Sequence, residues 1–249
     1  MPISKKNLTT LGAATIALGG LAIGGSAQAA HLITYNYTLS ELNDSGVSGG
    51  GTLVYNKNTN ELTVNLMAMG LAEQRHIMHI HGALDADGNP VESIEPDASF
   101  DADGDGYIEV LEAVGAYGDV MRSLTMGPSD LGATEDQYMF AADGVLNYSV
   151  TFDLDTDPLF SPVTGTTYSL AQFLPLAMRE IVIHGGIVPA GAGAGTDGEV
   201  NGTGGYVSIL PVAVAALDPV PIPAAALLFA TAGLGGVGVR MRKKKQQSA

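Results

Sequence analysis

Leu32-Ile33-Thr34-Tyr35-Asn36-Tyr37-Thr38-Leu39 places Ile33, Tyr35, Tyr37 and Leu39 on one parity and Thr34, Asn36 and Thr38 on the other. A period of two sends those sets to opposite faces of a strand, so the segment reads as a strand with one buried face. Thr52-Leu53-Val54-Tyr55 and Glu61-Leu62-Thr63-Val64-Asn65-Leu66 repeat the pattern. The breaks between them, Asn43-Asp44-Ser45-Gly46 through Gly51 and Asn56-Lys57-Asn58-Thr59-Asn60, are rich in residues that tolerate hairpin backbone angles. Consecutive strands are therefore expected to pair antiparallel. Further strands are predicted at His76 to His81, Val120 to Leu124, Val145 to Leu154, Glu180 to His184 and Tyr206 to Val214. About eight short strands imply an all-β sandwich or barrel.

The glycine-rich stretch 187–205 reads as a flexible loop. Within it Gly193-Ala194-Gly195-Thr196-Asp197-Gly198 matches a dinucleotide-binding fingerprint in letters only. No helix pattern follows, and Asp197 and Glu199 would repel a pyrophosphate. No nucleophile elbow or lysine-containing phosphate loop is present.

Of the 249 residues 46% are hydrophobic and the mean hydropathy is +0.21, which excludes disorder from low hydrophobicity for most of the chain. The basic residues concentrate at the ends. Residues 30–218 hold all 26 acidic side chains and four basic ones, a balance of −22. Such a body lacks the clustered cations that a phosphate backbone requires, so nucleic acid is not an expected partner, whereas divalent cations are. The absence of cysteine removes disulfides, thiolate metal sites and cysteine nucleophiles.

Both ends read as sorting devices. Residues 1–29 put Lys5 and Lys6 before an uncharged stretch from Leu8 to Gly25, followed by Ala27-Gln28-Ala29, the layout of a secretory signal peptide. The mature chain is expected to begin at Ala30. Residues 219–249 contain Val220-Pro221-Ile222-Pro223-Ala224, an apolar transmembrane helix expected over 224–239, and a basic tail over 240–245. Its cations resist translocation and would leave 30–218 outside the cytoplasm, with the precursor held in the inner membrane. The tail resembles the PEP-CTERM sorting signals in their VPLPA variant. That resemblance implies transient recognition by an exosortase-type enzyme and delivery to the cell surface or extracellular matrix.

An insertion predicted over 83–117 carries the strongest chemical motif, Asp101-Ala102-Asp103-Gly104-Asp105-Gly106-Tyr107-Ile108-Glu109-Val110-Leu111-Glu112. Asp101, Asp103 and Asp105 stand at positions one, three and five of a twelve-residue calcium loop, with Gly106 at the turn. Tyr107 would offer its carbonyl, Glu109 would bind directly or through water, and Glu112 would chelate with both oxygens. Hard oxygen donors at this spacing suit Ca²⁺. Nothing helical precedes the loop, and only a short helix is expected after it, from Glu109 to Val114 before Gly115. The expectation is thus a solitary EF-hand-like loop that stabilises the insertion, with an affinity of roughly 10⁻⁴ to 10⁻³ M. Asp85, Asp87 and Asn89 begin a similar run, but Pro90 replaces the turn glycine, so a simple turn is expected.

His79 and His81 share a parity on the predicted strand, and Ile181-Val182-Ile183-His184 ends another strand in histidine. Three imidazoles from two strands could form an open copper or zinc site, but the expectation is that they are packed, hydrogen-bonded residues of the sandwich. His76 has the opposite parity and should point away.

His79-Ile80-His81-Gly82, with Gly51-Thr52-Leu53, Leu62-Thr63-Val64, Met69-Gly70-Leu71, Ala116-Tyr117-Gly118-Asp119-Val120, Ser123-Leu124-Thr125 and Ile181-Val182-Ile183-His184-Gly185, resembles the bacterial form of the CHRD (chordin-type) domain family over roughly 35–216. The resemblance implies an immunoglobulin-like β-sandwich, topologically similar to copper-zinc superoxide dismutase, with extracellular binding or matrix roles and no settled reaction. Together these readings give a secreted, surface-sorted, calcium-binding structural protein, with extracellular polysaccharide or surface proteins as partners. The alternative is a copper-binding, dismutase-like redox protein using His79, His81 and His184.

Overall fold

A computed structural model of the protein describes residues 31–221. The expected signal peptide, and the tail with its apolar run and basic end, lie outside the described residues. Among the described residues no helix is long and apolar enough to cross a membrane.

The strands are β1 (Leu32–Thr38), β2 (Ser40–Glu41), β3 (Ser48–Asn56), β4 (Glu61–Met69), β5 (Met78–Leu84), β6 (Pro90–Val91), β7 (Asp119–Ser123), β8 (Val145–Asp153), β9 (Glu180–Val188), β10 (Gly205–Ala216) and β11 (Asp218–Pro219). One sheet runs β11-β1-β3-β4-β8; the other runs β2-β10-β9-β5-β6, with β7 also paired to β5. Every strand pair is antiparallel. The chain changes sheet at Leu39, between β1 and β2, and again between β10 and β11.

Alternation creates the core. Tyr35, Tyr37, Leu53, Tyr55, Leu62, Val64, Leu66, Tyr148 and Phe152 from the first sheet meet Met78, Ile80, Ile181, Ile183, Ala213 and Ala215 from the second. The opposite parity of the first sheet carries Thr, Asn and Ser, including the cross-strand Thr63–Thr151 hydrogen bond at 2.8 Å. The second sheet differs: its outer face is covered. Val182 and Val214 lie there beneath Leu42, Ile108, Ala113 and Tyr117 in a separate buried cluster. A sheet buried on both faces reads as a continuous apolar run, which is why Ile181-Val182-Ile183 shows no alternation.

The structure moves several predicted boundaries, and the strand expected to end at His184 runs on to Val188. The strand expected at His76 to His81 starts at Met78 and continues to Leu84. The helix expected to stop before Gly115 is α1 (Val110–Tyr117), because Ala113, Ala116 and Tyr117 on its inner side are buried against the sheet. It ends at Gly118, whose φ of +80° suits glycine; a Cβ there would lie 2.2 Å from the Gly82 carbonyl oxygen. That close approach presses the end of α1 onto β5. The stretch expected as a flexible loop is also tied down: Gly191 N–H donates to Gly202 at 2.9 Å, Gly202 N–H donates to Ala192 at 2.7 Å, and Val188, Val200 and Leu210 form a small core beneath.

Candidate metal centres

Strand parity turns His79, His81, Val182 and His184 to the covered face of the second sheet. Antiparallel pairing of His79 with Val182 then brings His184 beside His79, 105 residues away in the chain. Ring centroids are 5.4 Å apart for His79–His81 and for His79–His184, and 5.9 Å for His81–His184. The three side chains are 6%, 3% and 3% exposed.

Their hydrogen bonds fix the protons. His81 Nδ1 lies 3.1 Å from the Gly118 carbonyl and His184 Nδ1 lies 2.6 Å from the Ile209 carbonyl. A carbonyl only accepts, so each Nδ1 carries hydrogen and each Nε2 is a bare lone pair. With the Tyr138 hydroxyl assigned as donor to the Gly132 carbonyl at 3.2 Å, His79 Nε2, 3.0 Å from the same hydroxyl, donates to it, which leaves Nδ1 bare. The three bare nitrogens, His79 Nδ1, His81 Nε2 and His184 Nε2, are buried without any hydrogen-bond partner. One nitrogen from each ring lies within 4.8 Å of the others. Three buried lone pairs facing one another repel and lack a donor; a cation resolves both conditions. With metal–nitrogen distances of about 2.0 Å, small side-chain rotations close the trio on one ion.

Burial also sets the protonation state. It holds His81 at about 3 and His184 at about 4, with the His184 ring adding to the effect on His81. His79 is lowered well below its ordinary value by burial first and then by the other two rings. All three are neutral donors at physiological pH. His76 precedes β5, so strand parity does not place it, and it lies outside the trio; its Nδ1 lies 2.9 Å from the His184 carbonyl and its Nε2 2.9 Å from that of Ala72.

The acidic loop lies at the start of α1. Asp101, Asp103 and Glu112 each offer an oxygen within 4.8 Å of the others. Backbone groups fold the loop around them: Gly104 and Gly106 donate to Asp101 at 2.8 and 2.9 Å, and Ala102 donates to Glu112 at 2.7 Å. Gly106 has φ +91°, the turn its place in the motif predicts. Asp105 is in the same loop with Oδ1 accepting from Tyr107 N–H at 2.7 Å and Oδ2 enclosed without a partner. Burial and then its acidic neighbours raise its pKa. Tyr107 takes part through its backbone, while its side chain packs beside Val188, Val200 and Leu210. Glu109 faces elsewhere: it is 4% exposed and accepts from Val200 N–H at 2.6 Å, which fastens the glycine-rich loop to α1. Only a 3₁₀ turn, Ala98–Phe100, leads into the loop. Asp85 is the hub of a turn, accepting from Asp87 and Asn89 N–H at 3.0 and 2.8 Å.

The two clusters share an element. α1 begins within the acidic loop and ends at Tyr117, whose ring lies 4.4 Å from that of His81. Ile108, at loop position eight, is gripped by Asn43, which accepts from its N–H at 2.7 Å and donates to its carbonyl at 3.0 Å. Asn43 also donates to the Pro211 carbonyl at 2.9 Å, and Pro211 pairs with His184. Tyr138, Gly118 and Ile209, which orient the imidazoles, carry no sequence signal of that role; two of them act only through backbone carbonyls.

The chain matches no protein-family model, and no curated protein is similar to it in sequence.

Proposed function

We propose that this protein is an exported, surface-sorted β-sandwich of immunoglobulin-like and dismutase-like topology that carries a transition metal on His79, His81 and His184. A calcium-stiffened insertion covers that metal, and the protein acts as a binding or structural component outside the cytoplasm. The observation that carries the reading is the set of three buried imidazole lone pairs, each proton turned away by a protein acceptor. Carbonyl and phenol partners hold ligating histidines in this way, fixing ring and tautomer before the ion arrives. The acidic loop supports calcium through its spacing and the gathering of Asp101, Asp103 and Glu112. The insertion 83–117 contains no Lys or Arg to neutralise those charges.

Elemental analysis of the protein recovered from its own secretion route tests this. Near-stoichiometric copper or zinc is expected, lost in His81→Ala, together with calcium lost in Asp101→Ala. Neither metal in protein shown to be folded would sink the proposal.

A redox role has one feature in its favour, the early His-x-His paired with a late strand histidine. Against it stand imidazoles at most 6% exposed and a body charge of −22 that repels superoxide. Copper-loaded protein is therefore expected to leave the rate of superoxide loss unchanged, and metal-dependent turnover abolished by His81→Ala would favour the enzyme reading instead.

A further inference from the structure

Resting on the histidine centre proposed above, we infer that the ion it selects is monovalent copper, Cu(I), in preference to Zn(II) or Cu(II). The ground is charge balance in a closed site. All three donors are neutral, because each imidazole keeps its second proton on a protein acceptor. No carboxylate belongs to the trio, and the chain has no cysteine to supply a thiolate. The acceptors behind the rings are two carbonyls and a phenol, so no anionic character passes through the imidazoles to the ion.

Asp119, the carboxylate whose field reaches His81, is committed elsewhere. It accepts hydrogen bonds from Ser161 at 2.8 Å, Thr164 at 2.6 Å and Tyr168. Asp119 therefore acts on an ion at His79, His81 and His184 only through space, and the ligands themselves, side chains that are 3–6% exposed, bring no negative charge to it. The cost of moving a charge out of water grows with its square, so a dication meets about four times the penalty of a monocation of similar size.

Coordination number points the same way. Three donors converge, while the Tyr117 ring lies 4.4 Å from His81 and the Tyr138 ring 5.9 Å from His79, walling the cluster mostly with aromatic surface, although the Tyr117 hydroxyl is itself buried without a partner. Zinc with three protein ligands recruits a fourth, usually water, and that water needs polar partners. A filled-shell monocation is satisfied by three nitrogens in a plane.

The test is anaerobic competition on the full exported chain, with excess calcium present so that the acidic loop stays silent. Cu(I), Zn(II) and Cu(II) are each offered and then challenged with a chelator of known affinity. The expected result is one equivalent of Cu(I) retained at chelator levels that strip both dications, corresponding to at least about a 100-fold preference. X-ray absorption should show a three-coordinate nitrogen environment, and His79→Ala and His81→Ala should abolish retention. Zn(II) or Cu(II) held at the histidines as firmly as Cu(I) would overturn the inference and leave the metal centre standing. Cu(I) held equally well by the histidine variants would overturn it too, assigning the copper to other donors such as the exposed Met67 and Met69. Retention of none of the three ions would remove the inference and the centre together. His81→Asp adds a second measurement: an anionic donor in place of a neutral one should move the preference toward Zn(II), and an unchanged preference would contradict the charge-balance argument. The wild-type competition decides the matter even where a variant does not fold.

Discussion

Neutral imidazoles packed in a low-dielectric layer give the metal-free protein a defined acid sensitivity. The folded values of His81 and His184, about 3 and about 4, lie below the ordinary 6.5, so the unfolded chain binds more protons between them. The resulting stability is fully present above pH 6.5 and is lost as pH falls toward 4, so the Tm of chelated protein should drop across that window. His81→Gln should flatten the drop, and a parallel fall in the variant would show that other groups dominate. Glu180 acts in the opposite sense. It is 2% exposed, and burial, then Glu95, Glu92 and Asp218, raise it to about 8 from 4.5. Its contribution is complete below pH 4.5 and is lost as pH rises through 8; Glu180→Gln should therefore melt higher than the parent at pH 9 and alike at pH 4.5. At the trio itself, Tyr138→Phe removes the acceptor that holds the proton on His79 Nε2. Metal affinity is expected to fall roughly 10- to 100-fold with the fold intact, as for other outer partners of ligating histidines. Equilibrium metal competition alongside circular dichroism reads both quantities.

The acidic loop and α1 form one element, and one member of its motif also carries a structural task. Position nine suggests a ligand, yet Glu109 is spent on Val200, 91 residues away, and caps the glycine-rich loop. Glu109→Gln should therefore leave calcium affinity within about 2-fold while loosening residues 189–204, whereas Glu112→Gln should weaken calcium by more than about 10-fold. Titration calorimetry paired with hydrogen exchange separates these effects, and a large affinity loss in Glu109→Gln would place that carboxylate on the ion. The helix after the loop was legible from Glu109 onward, but its length was not: Gly115 reads as a stop, and burial of Ala116 and Tyr117 carries the helix past it. The same applies to stretch 187–205, where seven glycines between Gly191 and Gly205 suggest freedom and tertiary hydrogen bonds remove it.

For the molecule as a whole, the body charge is −22, and the function proposed above would make its outward chemistry anionic and calcium-dependent. If calcium bridges it to anionic polysaccharide, a chelator should release it from the cell surface, while matched monovalent salt should release less; retention unaffected by the chelator would count against such bridging. Strand identity, antiparallel pairing, the calcium motif and the shared face of His79 and His81 could all be read in advance, because each follows from a local rule: period two, turn chemistry, or ligand spacing within twelve residues. The third histidine groups with the other two as a candidate trio, but sequence does not tell which strands become neighbours. Only the folded sheet brings His184 beside His79, lays Tyr117 and Tyr138 over the rings and turns three protons outward through contacts with Gly118, Ile209 and Tyr138. The sequence by itself determined which donors exist and which way each strand faces, because those are properties of neighbouring residues. Tertiary structure alone decided that three lone pairs meet in a dry layer, because convergence and desolvation depend on segments far apart in the chain.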